Sequence, residues 1–270
     1  MKAFATHLSF EFRSGIRNPS QLLMNYLFPV GVYFVLGLIM TQVNPLFADT
    51  MVPAMVLLAG MATFLLGFPG PLVEARQAGV FRSYKISGVP AASILFVPVI
   101  STMLHFLVAS AVIVASATPL FGGAPPRNWG AFAAVTLLTA LCYGSFGALI
   151  AVASSNSRVV MMLSQLIFLP SMLLGGLMVP LSMLPAALRG VAFVLPTTHL
   201  MQAYLGLSYG ADTVAPPMAS VAVVLAASAL ALVVAVTGYS WDARNQGSRR
   251  RLLGALVACV PFIVSAVLLR

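Results

Sequence analysis

Hydrophobic positions along the chain form long uninterrupted runs that are separated by short polar stretches. Six runs are about as long as a membrane-spanning helix, and they lie at residues 22–43, 51–72, 93–118, 130–153, 159–180 and 216–238. About 20 apolar residues cross the hydrocarbon core of a bilayer as one helix. The pattern therefore predicts an all-α integral membrane protein, a six-helix bundle with no soluble domain between the spans.

Residues 1–20 show a different, amphipathic pattern. Apolar side chains recur at helical spacing at Phe4, Leu8, Phe12 and Ile16. The basic side chains of Lys2, Arg13 and Arg17 lie roughly on the opposite face of that helix. This predicts an interfacial helix whose basic face meets anionic lipid headgroups. Asn18 ends it, because the residue before a proline is pushed out of the helical region. A secretory signal is the alternative, but the apolar run that follows is too long and lacks a clear cleavage site.

Residues 175–207 are too apolar for an exposed loop and too broken for a spanning helix. Each proline removes a backbone N–H donor, and each glycine makes the backbone more flexible. The prolines are Pro180, Pro185 and Pro196, and the glycines are Gly175, Gly176 and Gly190. Broken backbone at membrane depth is tolerated only where protein or a water-filled cavity satisfies its polar groups. The segment is therefore predicted to dip into the bilayer and return, with a short amphipathic helix at about 184–194. A further segment opens at 195–199 and includes His199.

A seventh apolar run, at 252–269, follows a cluster of three arginines at 249–251. It is long enough to cross a thin or locally adapted bilayer, which would place Arg270 on the far side. Pro261 in its middle leaves a re-entrant hairpin as the alternative. We predict a seventh span. The chain then divides into a transmembrane domain at 1–240 and a basic linker with the extra helix at 241–270.

Composition supports the membrane assignment and narrows the chemistry. The chain is 60% apolar and 7% charged, with a mean hydropathy of +1.02, whereas soluble domains carry ~25% charged residues. Cys142 and Cys259 both lie inside apolar runs, where cysteine acts as a small hydrophobe. Neither a disulfide framework nor a metal site is predicted from them.

The distribution of positive charge predicts the orientation. Most Lys and Arg residues fall on one side of the spans: Lys2, Arg13, Arg17, Arg76, Arg82, Lys85, Arg158, Arg244, Arg249, Arg250 and Arg251. Arg127 and Arg189 fall on the other side. The positive-inside rule then places the N-terminus, the 73–92 loop and the 239–251 segment in the cytoplasm of a plasma (inner) membrane protein, with 175–207 outside. Because the net charge of +9 sits at span ends, it favours lipid contact over nucleic-acid binding.

The chain carries little of the chemistry that an enzyme or an ion-coupled carrier needs. Its acids, Glu11, Asp49, Glu74, Asp212 and Asp242, all lie away from the middle of a span. His105 is the exception among ionisable residues, and we interpret it as a helix contact rather than a proton relay. His7 and His199 lie at interfaces without obvious partners. No HExxH, GxSxG or P-loop motif can be written in the sequence, so we expect no catalytic site and no nucleotide site in this chain.

Two stretches resemble ABC-2 type permeases, the membrane subunits of a large class of ATP-driven exporters. In 175–207, the order of Gly-Gly, Pro-Leu, Leu-Pro and a second Leu-Pro before Thr and His is similar to the signature region of that family. The segment EARQAGVFRSYKISGVP at 74–90 resembles the family's cytoplasmic loop, although Gln77 replaces an acid and Val80 a threonine. With the interfacial helix and six spans, the resemblance covers about residues 1–240. The seventh run departs from it.

The resemblance implies that the chain is the transmembrane subunit of an ABC exporter. It also implies two kinds of partner, namely a second permease copy or paralogue and a separate P-loop ATPase subunit. Because that subunit binds the ATP, we expect no cofactor in this chain. It assigns the ATPase-coupling loop to Glu74, Arg76, Gly79, Arg82 and Pro90. It assigns the external re-entrant segment to Gly175, Gly176, Pro180, Pro185, Pro196 and His199.

Several details stay open at the level of the sequence. Arg76 and Arg82 cannot share one narrow helical face, so one could contact the ATPase while the other meets lipid phosphate. Gly79 allows either a tight turn or the close approach of another backbone. The small residues at 140, 144 and 148 predict a packed face, within one chain or between two. The composition of the spans favours a drug or lipid-like substrate over polysaccharide, and a secondary carrier or a non-transporting scaffold remains the alternative function.

Overall fold

A computed structural model of the protein describes residues 2–44, 47–86, 91–238 and 249–269. Within these ranges all regular structure is helical. The helices are α1 (Lys2–Arg17), α2 (Pro19–Val43), α3 (Phe47–Gln77), α4 (Val80–Ile86), α5 (Ala91–Phe121), α6 (Trp129–Ala153), α7 (Ser157–Leu174), α8 (Ala186–Ala192), α9 (Pro196–Ala203), α10 (Pro217–Gly238) and α11 (Arg249–Leu268). The all-α prediction is confirmed.

Six helices are long and apolar enough to cross a membrane, namely α2, α3, α5 from Phe96 onward, α6, α7 and α10. The prediction of six spans is confirmed, with one difference in length. The fifth span ends at Leu174 instead of continuing to residue 180. Gly176 follows with φ of 87°, in the left-handed region that ends helices and that glycine enters without strain. In α11, the part at Gly254–Leu268 is a shorter apolar helix.

Helices α3 and α6 form the centre of the bundle. Every residue of α3 from 51 to 65 is buried, as is most of α6. Phe64 of α3 packs edge-to-face against Phe106 of α5, with 5.7 Å between ring centroids. Gly60 faces Tyr143 of α6, where a Cβ would lie 3.0 Å from the tyrosine ring. These two spans are therefore surrounded by protein, and the other spans carry the surface that faces outward.

The row of small residues on α6 packs within the chain. Ala140 and Ala148 are buried. A Cβ on Gly144 would lie 3.4 Å from the Phe64 ring and 3.5 Å from a methyl group of Val99. Small residues allow helices to approach closely where no hydrophobic force drives them together. This row therefore joins α6 to α3 and α5 of the same chain.

The bundle has two ends with different structures. Helices α1 and α4 and the turn at 154–156 lie at one end, which we call the α1 end, while α8 and the turn at 204–209 lie at the opposite end, which we call the α8 end. Helix α6 connects the two, because the N–H of Arg127 just before it donates to the carbonyl of Ser208 (2.9 Å), and its last turn lies beside Arg76. Helix α1 packs along α5, and α11 packs along α10.

The contact of Gly147 with α3 provides a test of this arrangement. A Cβ on Gly147 would collide with the backbone carbonyl of Phe64 and lie 3.0 Å from the Phe68 ring. Overpacking of this kind costs about 1–3 kcal/mol, so Gly147→Ala should lower the thermal unfolding temperature of the purified protein. Gly31→Ala is the matched control on α2, where nothing lies within 4 Å of the Cβ position. Equal unfolding temperatures for the two variants would contradict the packing of α6 on α3.

Candidate functional site

The turn between α3 and α4 holds the residues assigned to the coupling loop. α3 ends at Gln77, and Gly79 follows with φ of 78°. The N–H of Ala78 donates to the carbonyl of Glu74 (2.8 Å), and the N–H of Gly79 donates to the carbonyl of Arg76 (3.1 Å). Gly79 therefore serves a tight turn, since glycine adopts this left-handed conformation without strain.

Arg76 is directed into the bundle rather than away from it. Its side chain is 8% exposed, and its guanidinium donates to the carbonyls of Ala151 (3.2 Å) and Ser154. These carbonyls belong to the C-terminal end of α6, where the last carbonyls of a helix lack helical partners and carry partial negative charge. The expectation that Arg76 contacts a partner chain or lipid phosphate is therefore wrong, because its charge is used to cap α6.

Two further side chains of the same turn reach the same loop. The amide of Gln77 donates to the carbonyl of Ser155 (2.9 Å), and the hydroxyl of Ser157 donates to the carboxylate of Glu74 (3.3 Å). We call these bonds, together with those of Arg76, the Arg76 clamp. It joins the end of α3 to the end of α6 and the start of α7. The sequence identified Gln77 only as a departure from the family pattern, and its role depends on a partner 78 residues away.

The remaining residues of the predicted coupling loop differ in position. Arg82 on α4 is exposed at the α1 end. Its neighbour Phe81 is buried and holds α4 against the bundle. Pro90 lies outside the described residues. The α3–α4 segment thus combines an anchored first half with an outward-facing second half.

His105 joins three helices at the α1 end. Its ring stacks on Phe12 of α1, with centroids 4.3 Å apart and planes 5° from parallel. Its Nδ1 lies 2.6 Å from the hydroxyl of Tyr26 on α2. Gly15 of α1 covers the same ring so closely that a Cβ would lie 2.5 Å from Nε2. The interpretation of His105 as a helix contact is confirmed, and it fixes α1 to α5.

His7 and Glu11 form a pair on α1. The Nε2 of His7 lies 3.7 Å from a carboxylate oxygen of Glu11, one helical turn away. Burial raises the pKa of the Glu11 carboxyl, and the adjacent His7 opposes that shift. The expectation that His7 has no partner is therefore wrong. Because the pair is partly exposed, it contributes little to stability.

A groove of about 390 Å³ lies between α2, α3 and α7. At the α1 end its lining is polar, with Asn18, Ser20, Gln21, Glu74 and Ser157. Deeper along the helices it becomes largely apolar, with Leu23, Met24, Leu66, Val160 and Met161. The side-chain oxygen of Gln165, also in the lining, is buried and has no hydrogen-bond partner among the described residues. The groove is thus amphipathic along its length.

Toward the α8 end, residues 175–209 form a broken segment that is largely exposed over 182–191 and buried from Pro196 to Tyr204. A 3-10 turn at Leu181–Met183 follows Pro180, and α8 follows Pro185. Pro196 occupies the first turn of α9, where a missing N–H costs nothing, and α9 continues into a π-helical turn at Tyr204–Tyr209. The predicted amphipathic helix is present but shorter than 184–194. Gly175 is required where it packs on Thr197, since a Cβ would lie 2.9 Å from the threonine methyl.

Polar side chains fasten this segment to the central spans. The hydroxyl of Tyr143 on α6 lies 2.7 Å from that of Thr197, and Tyr204 donates to Thr136 of α6 (2.9 Å). Gln202 accepts from the N–H of Val214 (2.8 Å) in the connection to α10. These partners satisfy buried hydroxyl and backbone groups that would otherwise be costly away from water.

His199 is fully buried in the same segment. Its Nε2 lies 2.9 Å from the carbonyl of Phe193 and 2.9 Å from the hydroxyl of Ser265 on α11. The expectation that His199 lies at an interface without partners is wrong. Its partner on α11 is 66 residues away, so no local pattern indicates the contact.

A bundle of six apolar spans, with an amphipathic groove at one end and a broken segment toward the other, defines a helical multi-pass membrane protein. The family model for the ABC-2 type transporter matches residues 2–209, and the chain belongs to this family. No curated protein and no solved structure matches the chain. The chain is thus a multi-pass permease subunit of an ABC transporter that has no nucleotide-binding site of its own, and the family associates with an ABC ATPase. Helices α10 and α11 lie beyond the matched residues.

Removing the guanidinium of Arg76 tests the clamp. In Arg76→Gln the carbonyls of Ala151 and Ser154 lose a charged donor, and we expect a loss of about 3 kcal/mol of folding free energy. Thermal unfolding of the purified protein, followed by size-exclusion chromatography, measures this. Arg158→Gln is the matched control, because Arg158 is an exposed arginine at the same end of the bundle. A clamp without structural importance would give the two variants the same unfolding temperature.

Proposed function

We propose that the chain is the permease subunit of an ABC exporter that moves a drug or lipid-like amphiphile across the plasma membrane. The observation that supports this best is the contrast between the two ends of the bundle. The α2–α3–α7 groove is present at the α1 end, whereas residues 196–204, which run from the bundle interior toward the α8 end, are buried. A substrate can therefore enter the groove from the side on which the α1 end lies.

The charge of the two ends supports a cytoplasmic α1 end. Arg13, Arg17, Arg82 and Arg158 are exposed there, while Arg127 and Arg189 belong to the opposite end. By the positive-inside rule the excess of cations marks the cytoplasmic side. The groove then opens toward the cytoplasmic leaflet, which fits loading from inside and release outside.

The lining of the groove favours an amphiphile over a polymer. Amide and hydroxyl groups at the α1 end can hydrogen-bond a headgroup, and the deeper methionine and leucine side chains can contact an apolar tail. The charged side chain among the described lining residues is Glu74, which favours a neutral or cationic headgroup over an anionic one. The unpartnered oxygen of Gln165 provides an acceptor where the lining becomes apolar.

The contacts of the α3–α4 segment support a route for coupling to the ATPase. We propose that exposed groups around Arg82 dock on the ATPase and that the Arg76 clamp carries the resulting movement to α6 and α7. His105 carries it to α5 through α1. Nucleotide can shift the permease between conformations only by its difference in interaction free energy with the two. A rigid connection at the α1 end transmits that difference in free energy to the spans that line the groove.

A second permease copy completes the proposal. The outward surfaces of α2 and α7, which flank the groove, carry exposed apolar side chains such as Leu27, Leu38, Met162 and Leu169. A second copy on these surfaces would enclose the two grooves in one path. Membrane lipid is the alternative occupant, and the oligomeric state of the purified transporter distinguishes them.

Reconstitution with the partner ATPase tests the function. We expect vesicles containing both proteins to transfer a fluorescent cationic amphiphile away from the ATP-exposed leaflet, and to do so only with ATP. Transfer that persists without ATP and without the ATPase would identify a secondary carrier. ATP-dependent movement of a hydrophilic polymer alone would overturn the assignment of the substrate.

Adjacent methionines on α7 test the groove. Their side chains are similarly exposed, at 66% and 67%, but Met161 lines the groove and Met162 does not. Met161→Gln should raise the KM for the amphiphile about fivefold, since a lost apolar contact costs about 1 kcal/mol. Met162→Gln should leave KM unchanged. Equal KM values in the two variants would place the substrate path elsewhere.

Charge reversal at Arg82 tests docking of the ATPase. Arg82→Glu should abolish stimulation of the ATPase by substrate while leaving membrane insertion unchanged, because other cations at this end hold the orientation. Arg13→Glu on α1 is the matched control, since it reverses an exposed charge at the same end. Normal export by the Arg82→Glu variant would show that the loop only sets the topology. The coupling role would then be assigned to α1.

A further inference from the structure

Helix α11 has one buried side and one outward apolar side. Ala258, Phe262, Ser265 and Ala266 are buried at helical spacing. The outward side carries exposed apolar residues: Leu256, Val257, Val260, Ile263, Val264 and Val267. The apolar part of the helix at Gly254–Leu268 is about 22 Å long at 1.5 Å per residue, which is shorter than the ~30 Å hydrocarbon core and requires a thin or locally adapted bilayer. Its outward side therefore suits lipid rather than water.

The contacts of α11 run from one end of the bundle to the other. Near its start, Gly254 packs on Val234 in the last turns of α10, where a Cβ would lie 3.0 Å from a valine methyl. Near its end, Ala266 and Leu269 pack with Leu181 and Phe193 of the broken segment. Because α10 runs from the α8 end back to the α1 end, α11 runs antiparallel to it over the length of the bundle.

Pro261 does not interrupt this path. It lies inside a helix that continues without a break from Arg249 to Leu268. A re-entrant hairpin would instead return both ends of the run to the same end of the bundle. The contacts at Gly254 and Leu269 lie at opposite ends, which excludes that geometry for the described residues.

The hydrogen bonds around His199 fit one arrangement of protons. The neutral tautomer with a proton on Nε2 can donate to the carbonyl of Phe193 and the hydroxyl of Ser265 (2.9 Å each). Ser265 then donates to the carbonyl of Phe262 (2.8 Å), and Nδ1 accepts from Ser220 of α10 (3.4 Å). Each group has a partner in this arrangement. The imidazole thus connects α9, on which it lies, with the residue that follows α8 and with α10 and α11.

Packing reinforces the polar contact. The ring of Phe262 stacks on His199, with centroids 5.5 Å apart and planes 26° from parallel. The same phenylalanine lies 6.0 Å from Phe146 of α6. Phe262 therefore stands between the imidazole and the central span, and it limits the orientations that His199 can adopt.

We propose that α11 crosses the membrane as a seventh span and that Ser265 and Phe262 position His199, so that the C-terminal helix holds the broken segment closed at the α8 end. Helix α11 lies outside the matched family residues 2–209, and its proposed role does not depend on the substrate or on the ATPase. Ser265 and Phe262 are positioning residues, since they act through His199 on the backbone of Phe193.

Two reporter fusions test the crossing without any transport measurement. A reporter that is active only outside the cytoplasm is placed within the 239–248 segment in one protein and after Arg270 in another. A seventh span puts the two reporters on opposite sides of the membrane, with the C-terminal one active. Reporters on the same side would overturn the proposal, whichever side that is.

Thiol labelling tests the positioning role in the full-length protein. Leu184 is buried beside Phe193 in the broken segment, so Leu184→Cys provides a protected thiol in a Cys259→Ala background. With a membrane-impermeant maleimide applied from outside, Ser265→Ala should increase the labelling rate about fivefold, which corresponds to about 1 kcal/mol for one hydrogen bond. Ser265→Thr, which keeps the hydroxyl, should restore slow labelling.

Ser145→Ala is the matched control, because Ser145 is a buried serine whose hydroxyl returns to the carbonyl of Leu141 in its own helix. It should leave the labelling rate unchanged. Combining His199→Ala with Ser265→Ala should label no faster than the faster single variant, since both changes remove the same contact. Equal rates for Ser265→Ala and Ser145→Ala, or additive effects in the double variant, would overturn the positioning role.

Discussion

The buried guanidinium of Arg76 is the interaction on which the α1 end depends. A buried cation is costly unless it is fully hydrogen-bonded, and this one finds its partners in the carbonyls at the end of α6. Those carbonyls lack helical partners, so the cation and the helix end satisfy each other. The end of α3, the end of α6 and the start of α7 are therefore held as one unit, with α4 projecting from it.

The opposite end depends on the rule that backbone groups away from water need partners. Prolines and glycines break the helix between α7 and α10, and each break frees polar groups that protein must satisfy. Hydroxyls, amides and the imidazole of His199 supply many of these contacts, and the partners come from α6, α10 and α11. A closed end that is built from side-chain hydrogen bonds can open by exchanging a few of them, whereas a continuous helix would have to break.

The two histidines at 105 and 199 have related roles at opposite ends. His105 fixes the interfacial helix to α5 by stacking and one hydrogen bond, and His199 joins the broken segment to α11. Both rings are buried; His199 has hydrogen-bond partners at both ring nitrogens, whereas His105 is bonded at Nδ1 alone among the described residues. Each acts as a rigid connector that joins elements distant in sequence.

Local sequence features predicted the helices, but they did not predict the contacts between residues that are far apart in the sequence. Spans follow from hydropathy within one run, and the broken segment follows from its own prolines and glycines, so both could be found. The direction of Arg76, the role of Gln77 and the partner of His199 depend on residues 66 to 78 positions away. Arg76 in a basic loop has the same local pattern whether it faces lipid or caps another helix, and only the tertiary structure decides between them.

Distance measurement by paired spin labels tests the central claim, which is that the α1 end moves as one unit. Labels at Ala78 and Arg158, both exposed, report across the clamp, and labels at Arg158 and Ala187 report between the two ends. The account predicts that the first distance distribution is the same in the nucleotide-free and ATP-trapped transporter, that the second one shifts, and that Arg76→Gln broadens the first. A shift of the Ala78–Arg158 distance on nucleotide trapping in the unmodified clamp would contradict it.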